Sequence, residues 1–160
     1  MATPSVGEPC PRFDLPDADG VRVSSDSLRG RPYVLYFYPK DDTSGCTLEA
    51  IEFTALDREF ATLGVPVFGV SPDDGRQHCK FRDKHGLKVR LLSDVDKTLL
   101  QDFGVWVEKS MYGRTYMGVE RTTALVDAEG RIAHLWPKVK ANGHAAEVLD
   151  VSRRHLGHDG

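Results

Sequence analysis

The stretch from Pro32 to Tyr38, Pro-Tyr-Val-Leu-Tyr-Phe-Tyr, is the strongest constraint on the fold. It is rich in β-forming residues, lacks polar alternation and is closed by Pro39. Such a run predicts a central strand covered on both faces, so the rest of the chain must supply two layers. The residues downstream have the pattern to do so. From Cys46 to Leu63 the period is helical, with Phe53, Leu56, Phe60 and Leu63 on one stripe and Gly64 placed as a C-cap. Val65 to Val70 reads as a second buried strand. Asp73 or Asp74 caps a helix running to His85, closed by Gly86. Val89 to Leu92 is a short strand, and Asp94 or Asp96 opens a brief helix to Phe103. Arg121 to Asp127 and Arg131 to Trp136 flank Ala128-Glu129-Gly130 as a hairpin. Asn142 or Gly143 starts the last helix, with Ala146, Leu149 and Leu156 expected to face inward. Upstream, Pro4, Pro9, Pro11 and Pro16 make residues 2–20 an extended lead-in, and Asp19-Gly20 before Val21 to Val23 suggests a small hairpin. The expectation is an α/β sandwich with a mixed sheet.

This element order fits a thioredoxin-like core, a central mixed sheet flanked by helices, with an N-terminal extension. At 160 residues the chain is expected to be one domain, 1–160. It is long enough to bury its core without disulfide staples. Lys+Arg 21 against Asp+Glu 24 leaves a net charge of −3, which argues against nucleic-acid binding. No apolar run approaches the ~18 residues of a membrane span, so no membrane is expected as a partner. Met1 to Phe13 has neither the basic nor the apolar region of a signal peptide. Cytoplasmic localisation is therefore expected. In that reducing setting three cysteines are catalytic, metal-bound or inert rather than a scaffold.

The segment richest in chemistry runs from Tyr36 to Glu49. The buried strand ends at Pro39, a short polar loop comes next, and Cys46 falls in the first turn of the next helix. A helix N-terminus favours the nucleophilic thiolate form of a cysteine. Thr43, three residues upstream, can aim its hydroxyl at the sulfur or at an oxygen bound beside it. Gly45 lets the backbone approach, so the Cys46 amide can point into the same pocket. A strand-end loop leading into a helix is also where open α/β sheets place ligands. A buried, inert thiol is the commoner fate of a free cysteine. A core filler, however, does not require Pro, Thr and Gly arranged around it at a helix entrance.

Pro39-x-x-x-Thr43-x-x-Cys46 resembles the active-site signature of the peroxiredoxins, cysteine peroxidases of thioredoxin-like fold. The longer string from Tyr36 to Glu49 is similar to the bacterioferritin comigratory protein, or peroxiredoxin Q, branch. The resemblance extends through Asp14-Leu15-Pro16-Asp17, Asp19-Gly20, Gly69 to Asp73, Leu91 to Asp94 and Arg121 to Asp127. It implies that Cys46 attacks the O–O bond and becomes a sulfenic acid. By the same resemblance Thr43 hydrogen-bonds the peroxide, Pro39 shields the pocket from water, and Arg121 stabilises the thiolate and polarises the peroxide. Glu49 is placed to pair with Arg121 or to lie as a plain helix-surface carboxylate. The implied substrates are hydrogen peroxide and alkyl hydroperoxides, with thioredoxin or a similar dithiol as reductant. No cofactor or metal is implied, and a monomer or weak homodimer is expected.

Two positions depart from that branch. Ser44 stands where proline is usual. Ile51 stands five residues after Cys46, where many members carry a resolving cysteine, so their short-range disulfide cannot form. Some relatives place the second cysteine in the helix after the second core strand, which makes Cys79 the resolving candidate and an external thiol the alternative. The helix bearing Cys46 and the helix bearing Cys79 are expected on opposite faces of the sheet or at its edge. Cys10, between two prolines, reads as a passive thiol. His78, Cys79 and His85 share one helix, but their spacing matches no common zinc pattern. Trp106, Tyr112 and Tyr116 either line the peroxide pocket or pack in the core, and packing is the expectation because large aromatics dominate cores. Arg153-Arg154-His155 is too short a basic cluster to indicate nucleic acid. A thioredoxin-like disulfide oxidoreductase would need Cys-x-x-Cys, and Glu49 occupies the second position. A redox-regulated chaperone or binding module on the same fold is the non-enzymatic alternative; its activity would not depend on Cys46.

Overall fold

The computed structural model describes residues 3–157, so Ala2 of the lead-in lies outside the described residues. Its centre is a five-stranded sheet built from β3 (Tyr33–Phe37), β4 (Val67–Ser71), β5 (Arg90–Ser93), β8 (Thr122–Val126) and β9 (Ile132–Trp136). The strand order is β5-β4-β3-β8-β9, with β3, β4 and β5 parallel and β8 and β9 antiparallel to their neighbours. Every residue of β3 is buried, as its unbroken apolar run requires. The fold is the thioredoxin-like mixed sheet expected from the sequence.

The steps β3 to β4 to β5 go in one direction across the sheet, so right-handed crossovers bring their helices to one face. That face carries α1 (Ser44–Ala55), α2 (Asp57–Leu63), α3 (Gly75–His85) and α5 (His144–His155). Their buried residues Phe53, Phe60, Phe81 and Val148 form one core with Val34, Tyr36 and Leu125 of the sheet. Of the two expected placements for α1 and α3, opposite faces is corrected, since they share a face, while the edge placement holds for α3, which packs on the edge strand β5. The other face is covered by α4 (Thr98–Asp102) and by the hairpin of β1 (Asp14–Pro16) and β2 (Arg22–Ser24), with Phe13, Val23, Leu99 and Phe103 inside. The lead-in runs along β9, where the Gly7 N–H donates to the Ile132 carbonyl and the Cys10 N–H to that of Gly130.

Several boundaries differ from the periodicity. The helix expected over 46–63 is two helices, broken at Leu56, because α2 restarts with Asp57 and Glu59 in its first turn, where a helix N-terminus favours acids. Asp74, not Asp73, caps α3 through a reciprocal box with Gln77. In α5 Leu149 and Leu156 face the core as expected, joined by Ala145 and Val148, whereas Ala146 is exposed. An unforeseen hairpin joins β6 (Trp106–Met111) to β7 (Arg114–Val119). Its two-residue turn is Tyr112-Gly113, both at positive φ (52° and 77°), the primed turn that suits twisted hairpins. This overturns core packing for two of the three aromatics: Tyr112 is 98% exposed and Tyr116 45%, while Trp106 alone packs on the core. No helix among the described residues is long and apolar enough to cross a membrane.

Candidate active site

Loop 39–43 leaves the C-terminal end of β3 and turns into α1, whose first turn carries Cys46. Thr43 is the N-cap in extended geometry, and the Thr47 N–H donates to its carbonyl at 2.8 Å. Cys46 is buried, 1% exposed, in the core shared by Tyr36, Ala50 and Phe53. The residue just before β8, Arg121, reaches over it. Its Nη2 donates to Cys46 Sγ at 3.4 Å and its Nη1 donates to Glu49 Oε1 at 2.8 Å. The backbone carbonyl of Arg121 accepts from the Val139 N–H, which fixes the base of the side chain. One guanidinium thus ties a thiol on α1 to a carboxyl one turn further along the same helix.

Gly45 makes this approach possible. A Cβ at that position would stand 3.0 Å from Arg121 Nη2. Gly45→Ala is therefore expected to lower the rate of Cys46 oxidation by roughly tenfold, since small displacements of a positioned group act on that scale. Its thermal midpoint should stay near wild type, because the clash falls on the far end of a flexible side chain and alanine favours the helix. Stopped-flow oxidation and thermal unfolding of the same sample check both halves.

Glu49 is fully buried and its Oε2 has no hydrogen-bond partner among the described residues. Burial raises its pKa to about 7 in spite of the Arg121 charge beside it. Arg121 keeps its charge, supported by Glu49 and Cys46. The carboxyl is the half that gives, because one guanidinium does not offset its loss of water. An unfolded glutamate titrates near ~4.3, so between that value and about 7 the folded chain holds the extra proton. The stability linked to this proton is full below the unfolded value, falls as pH rises to about 7, and is flat above it. Glu49→Gln should remove this loss, so the melting temperature of the variant should gain on wild type between about pH 5 and pH 8. A constant difference across that range would show that Glu49 does not titrate there.

Beneath Cys46 the Tyr36 ring stacks on Phe53 at 4.8 Å and its hydroxyl is buried without a partner among the described residues. Gly69 provides the room, since a Cβ there would meet Tyr36 Cζ at 2.6 Å. Burial, with Glu49 and Cys46 nearby, pushes the Tyr36 hydroxyl well above its ordinary pKa, so it stays protonated.

The remaining candidates are more dispersed. Thr43 is exposed and its hydroxyl donates to the Lys40 carbonyl at 2.9 Å rather than to the sulfur, leaving its lone pairs free to accept. Pro39 is half-buried at the loop's start. Cys79 is not at the site: on α3 it is half-buried and its Sγ donates to the Ala18 carbonyl at 2.9 Å, towards the β1–β2 hairpin. Cys10 is half-buried beside Tyr33, and burial pushes its pKa up to about 12, as suits a passive thiol. All three cysteines are free. Oxygen and nitrogen ligand atoms of Asp41, Asp73 and His78 lie within 4.8 Å of one another. The 2.6 Å contact between His78 Nδ1 and Asp41 Oδ2 leaves no gap for an ion between those two, so no metal role is assigned.

Residues 6–135 match the AhpC/TSA family. Among curated relatives, the putative peroxiredoxin bcp of Coxiella burnetii is 47% identical over 144 residues, covering 90% of this chain and 95% of its own length. The peroxiredoxin Bcp of Bacillus subtilis is 44% identical over 149 residues, covering 93% and 95%. Among solved structures, the bacterioferritin comigratory protein of Xanthomonas campestris, studied for alkyl peroxide reduction, superposes with a TM-score of 0.86 at 40% identity over 90% of this chain and 92% of that one. Xylella fastidiosa PrxQ gives a TM-score of 0.89 at 35% identity over 94% and 96%.

Proposed function

Because the chain belongs to the AhpC/TSA family and is a thiol-dependent peroxidase of the Bcp/peroxiredoxin Q branch, we propose that Cys46 is its peroxidatic residue and that Arg121, Glu49, Thr43, Gly45 and Pro39 organise the reaction around it. The observation that carries this reading is the Arg121 bridge from Cys46 Sγ to Glu49. The thiolate attacks one peroxide oxygen, an S–O bond forms as the O–O bond breaks, and the departing oxygen takes a proton to leave as water or an alcohol. Arg121 holds charge on the sulfur before attack and faces the charge that develops afterwards, in a pocket where burial reduces screening by water. Thr43 contributes a lone pair that can accept a hydrogen bond from the peroxide while its own O–H donates to the Lys40 carbonyl. Pro39 narrows access for solvent.

Cys79 is the internal thiol we assign to resolution. Its sulfur condenses with the Cys46 sulfenic acid, forming one disulfide and releasing one water. A disulfide requires Cα atoms within ~7 Å, so the first turn of α1 must open and Cys79 must leave Ala18. Two features support that opening. The α1 N-terminus has no side-chain cap and no acid in its first turn, and Ser44 is exposed. An uncapped terminal turn opens at low free-energy cost. A thioredoxin-type dithiol, abundant in the reducing cytoplasm, then returns both thiols. Since both cysteines belong to one chain, the cycle runs in a monomer or weak homodimer.

Mass spectrometry after one equivalent of hydrogen peroxide tests this reading. The expected product is a Cys46–Cys79 peptide that disappears in Cys79→Ser. A persistent sulfenic acid in wild type, with unimpaired turnover in Cys79→Ser, would instead make this a one-cysteine enzyme served by an external thiol.

A further inference from the structure

We propose that His78 is a positioning residue for Cys46: from α3 its buried imidazole holds Asp41, the one buried residue of loop 39–43, and through it sets the turn that presents the thiol. This rests on Cys46 being the reacting thiol.

Everything else in the loop is exposed or half-exposed. Lys40, Asp42 and Thr43 face solvent, and Asp42, at a φ of 62°, is tied to the exposed Lys84 and half-buried His85. Asp41 differs in kind. Its Oδ1 accepts from the Tyr38 hydroxyl at 2.5 Å, its Oδ2 meets His78 Nδ1 at 2.6 Å, and its N–H donates to Asp73 Oδ2 at 2.8 Å. Asp73 Oδ2 also accepts from Ser71 at the end of β4. His78 is 0% exposed, and its Nε2 meets the Leu92 carbonyl of β5 at 3.1 Å. A carbonyl can only accept, so Nε2 carries a proton, and one more proton is shared between Nδ1 and Asp41. Asp41 is thereby joined to β3, β4, β5 and α3 at once. Two residues after it comes Thr43, whose carbonyl receives the first helical hydrogen bond of α1, and the sulfur sits three residues beyond. A buried carboxylate stripped of its imidazole would seek water, and the loop would have to move to find it.

The two nitrogens can be separated by substitution. Asparagine at 78 can offer its amide where Nδ1 lies and so keep a donor to Asp41. Glutamine can offer its amide where Nε2 lies and so keep only the bond to Leu92. Each loses one of two hydrogen bonds in the same buried site, so a merely structural role predicts similar losses in both. The measurement is the second-order rate constant for Cys46 oxidation by hydrogen peroxide, taken with the thermal midpoint of each variant. His78→Asn should stay within about threefold of wild type and His78→Gln should fall at least about tenfold, the scale on which misplacing a reacting group acts. Equal rates in the two variants, whether fast or slow, would overturn the proposal.

If either variant fails to fold, Asp41→Asn and Asp41→Ala ask the same question. The amide of asparagine can donate to a neutral Nδ1 while its oxygen accepts from Tyr38, so Asp41→Asn should retain the rate and Asp41→Ala should lose it. Equal rates there would be equally fatal. Cys46→Ser run in parallel separates the two readings: peroxide consumption that persists in it would indict the assignment of Cys46, not the role of His78.

Discussion

Replacing Arg121 with alanine is expected to slow oxidation of Cys46 by about 10²–10³-fold, the scale on which loss of one preorganised donor acts. The guanidinium is largely enclosed, 17% exposed, and donates both to the sulfur and to a carboxyl with no exposure at all. Removing it takes away the cation beside the sulfur and the donor that faces the charge developing there. The fold should survive, because Glu49 can answer by taking up a proton rather than remain a bare buried charge. Its pKa, already at about 7, needs only a modest further rise to do so at neutral pH. The double variant Arg121→Ala/Glu49→Gln should therefore recover stability and not rate. Arg121→Lys should fall between, since a point charge cannot serve two acceptors with a planar fork. Rate constants and thermal midpoints for the three variants separate the catalytic from the structural share. Full activity in Arg121→Ala would remove Arg121 from the mechanism.

The parts of this molecule that are legible in the sequence are those where one residue type answers a local need. The unbroken run of β3 requires a two-sided cover, and Gly64 and Gly86 end helices where left-handed residues do. Pro39, Thr43 and Cys46 lie within eight residues, so their pattern can be read directly. Arg121 needs the family resemblance, because nothing local to a strand start reveals that its side chain crosses to a helix 75 positions away. Tyr36, Asp41 and His78 do not stand out as site residues for a related reason. A tyrosine in an apolar strand, an aspartate in a polar loop and a histidine on a helix are each ordinary, and only the packing of four elements brings the last two together. The β6–β7 hairpin escapes because Tyr112-Gly113 is a rarer primed turn than Asn-Gly and its strands are half-exposed on both faces. The placement of α1 and α3 on one face depends on strand order, which periodicity does not reveal. Once β3, β4 and β5 lie side by side in that order, two successive right-handed crossovers in one direction allow no other arrangement.

Cys46 should be indispensable in a way the other two cysteines are not. Its sulfur lies at a helix entrance with the Arg121 guanidinium donating to it at 3.4 Å, whereas Arg82 reaches the mid-helix Cys79 sulfur only at 3.9 Å. Cys10 is kept protonated by burial, and Cys79 is turned to the Ala18 carbonyl. Serine cannot replace the thiolate, because its hydroxyl neither ionises near neutral pH nor accepts oxygen from a peroxide, while its size leaves the fold unchanged. Hydrogen peroxide consumption with a dithiol reductant, compared across wild type, Cys46→Ser, Cys79→Ser and Cys10→Ser, is the most direct measurement. Cys46→Ser should fall to the rate of reductant alone, Cys10→Ser should match wild type, and Cys79→Ser should still complete its first oxidation. Turnover undiminished in Cys46→Ser would contradict the assignment of Cys46 as the reacting thiol.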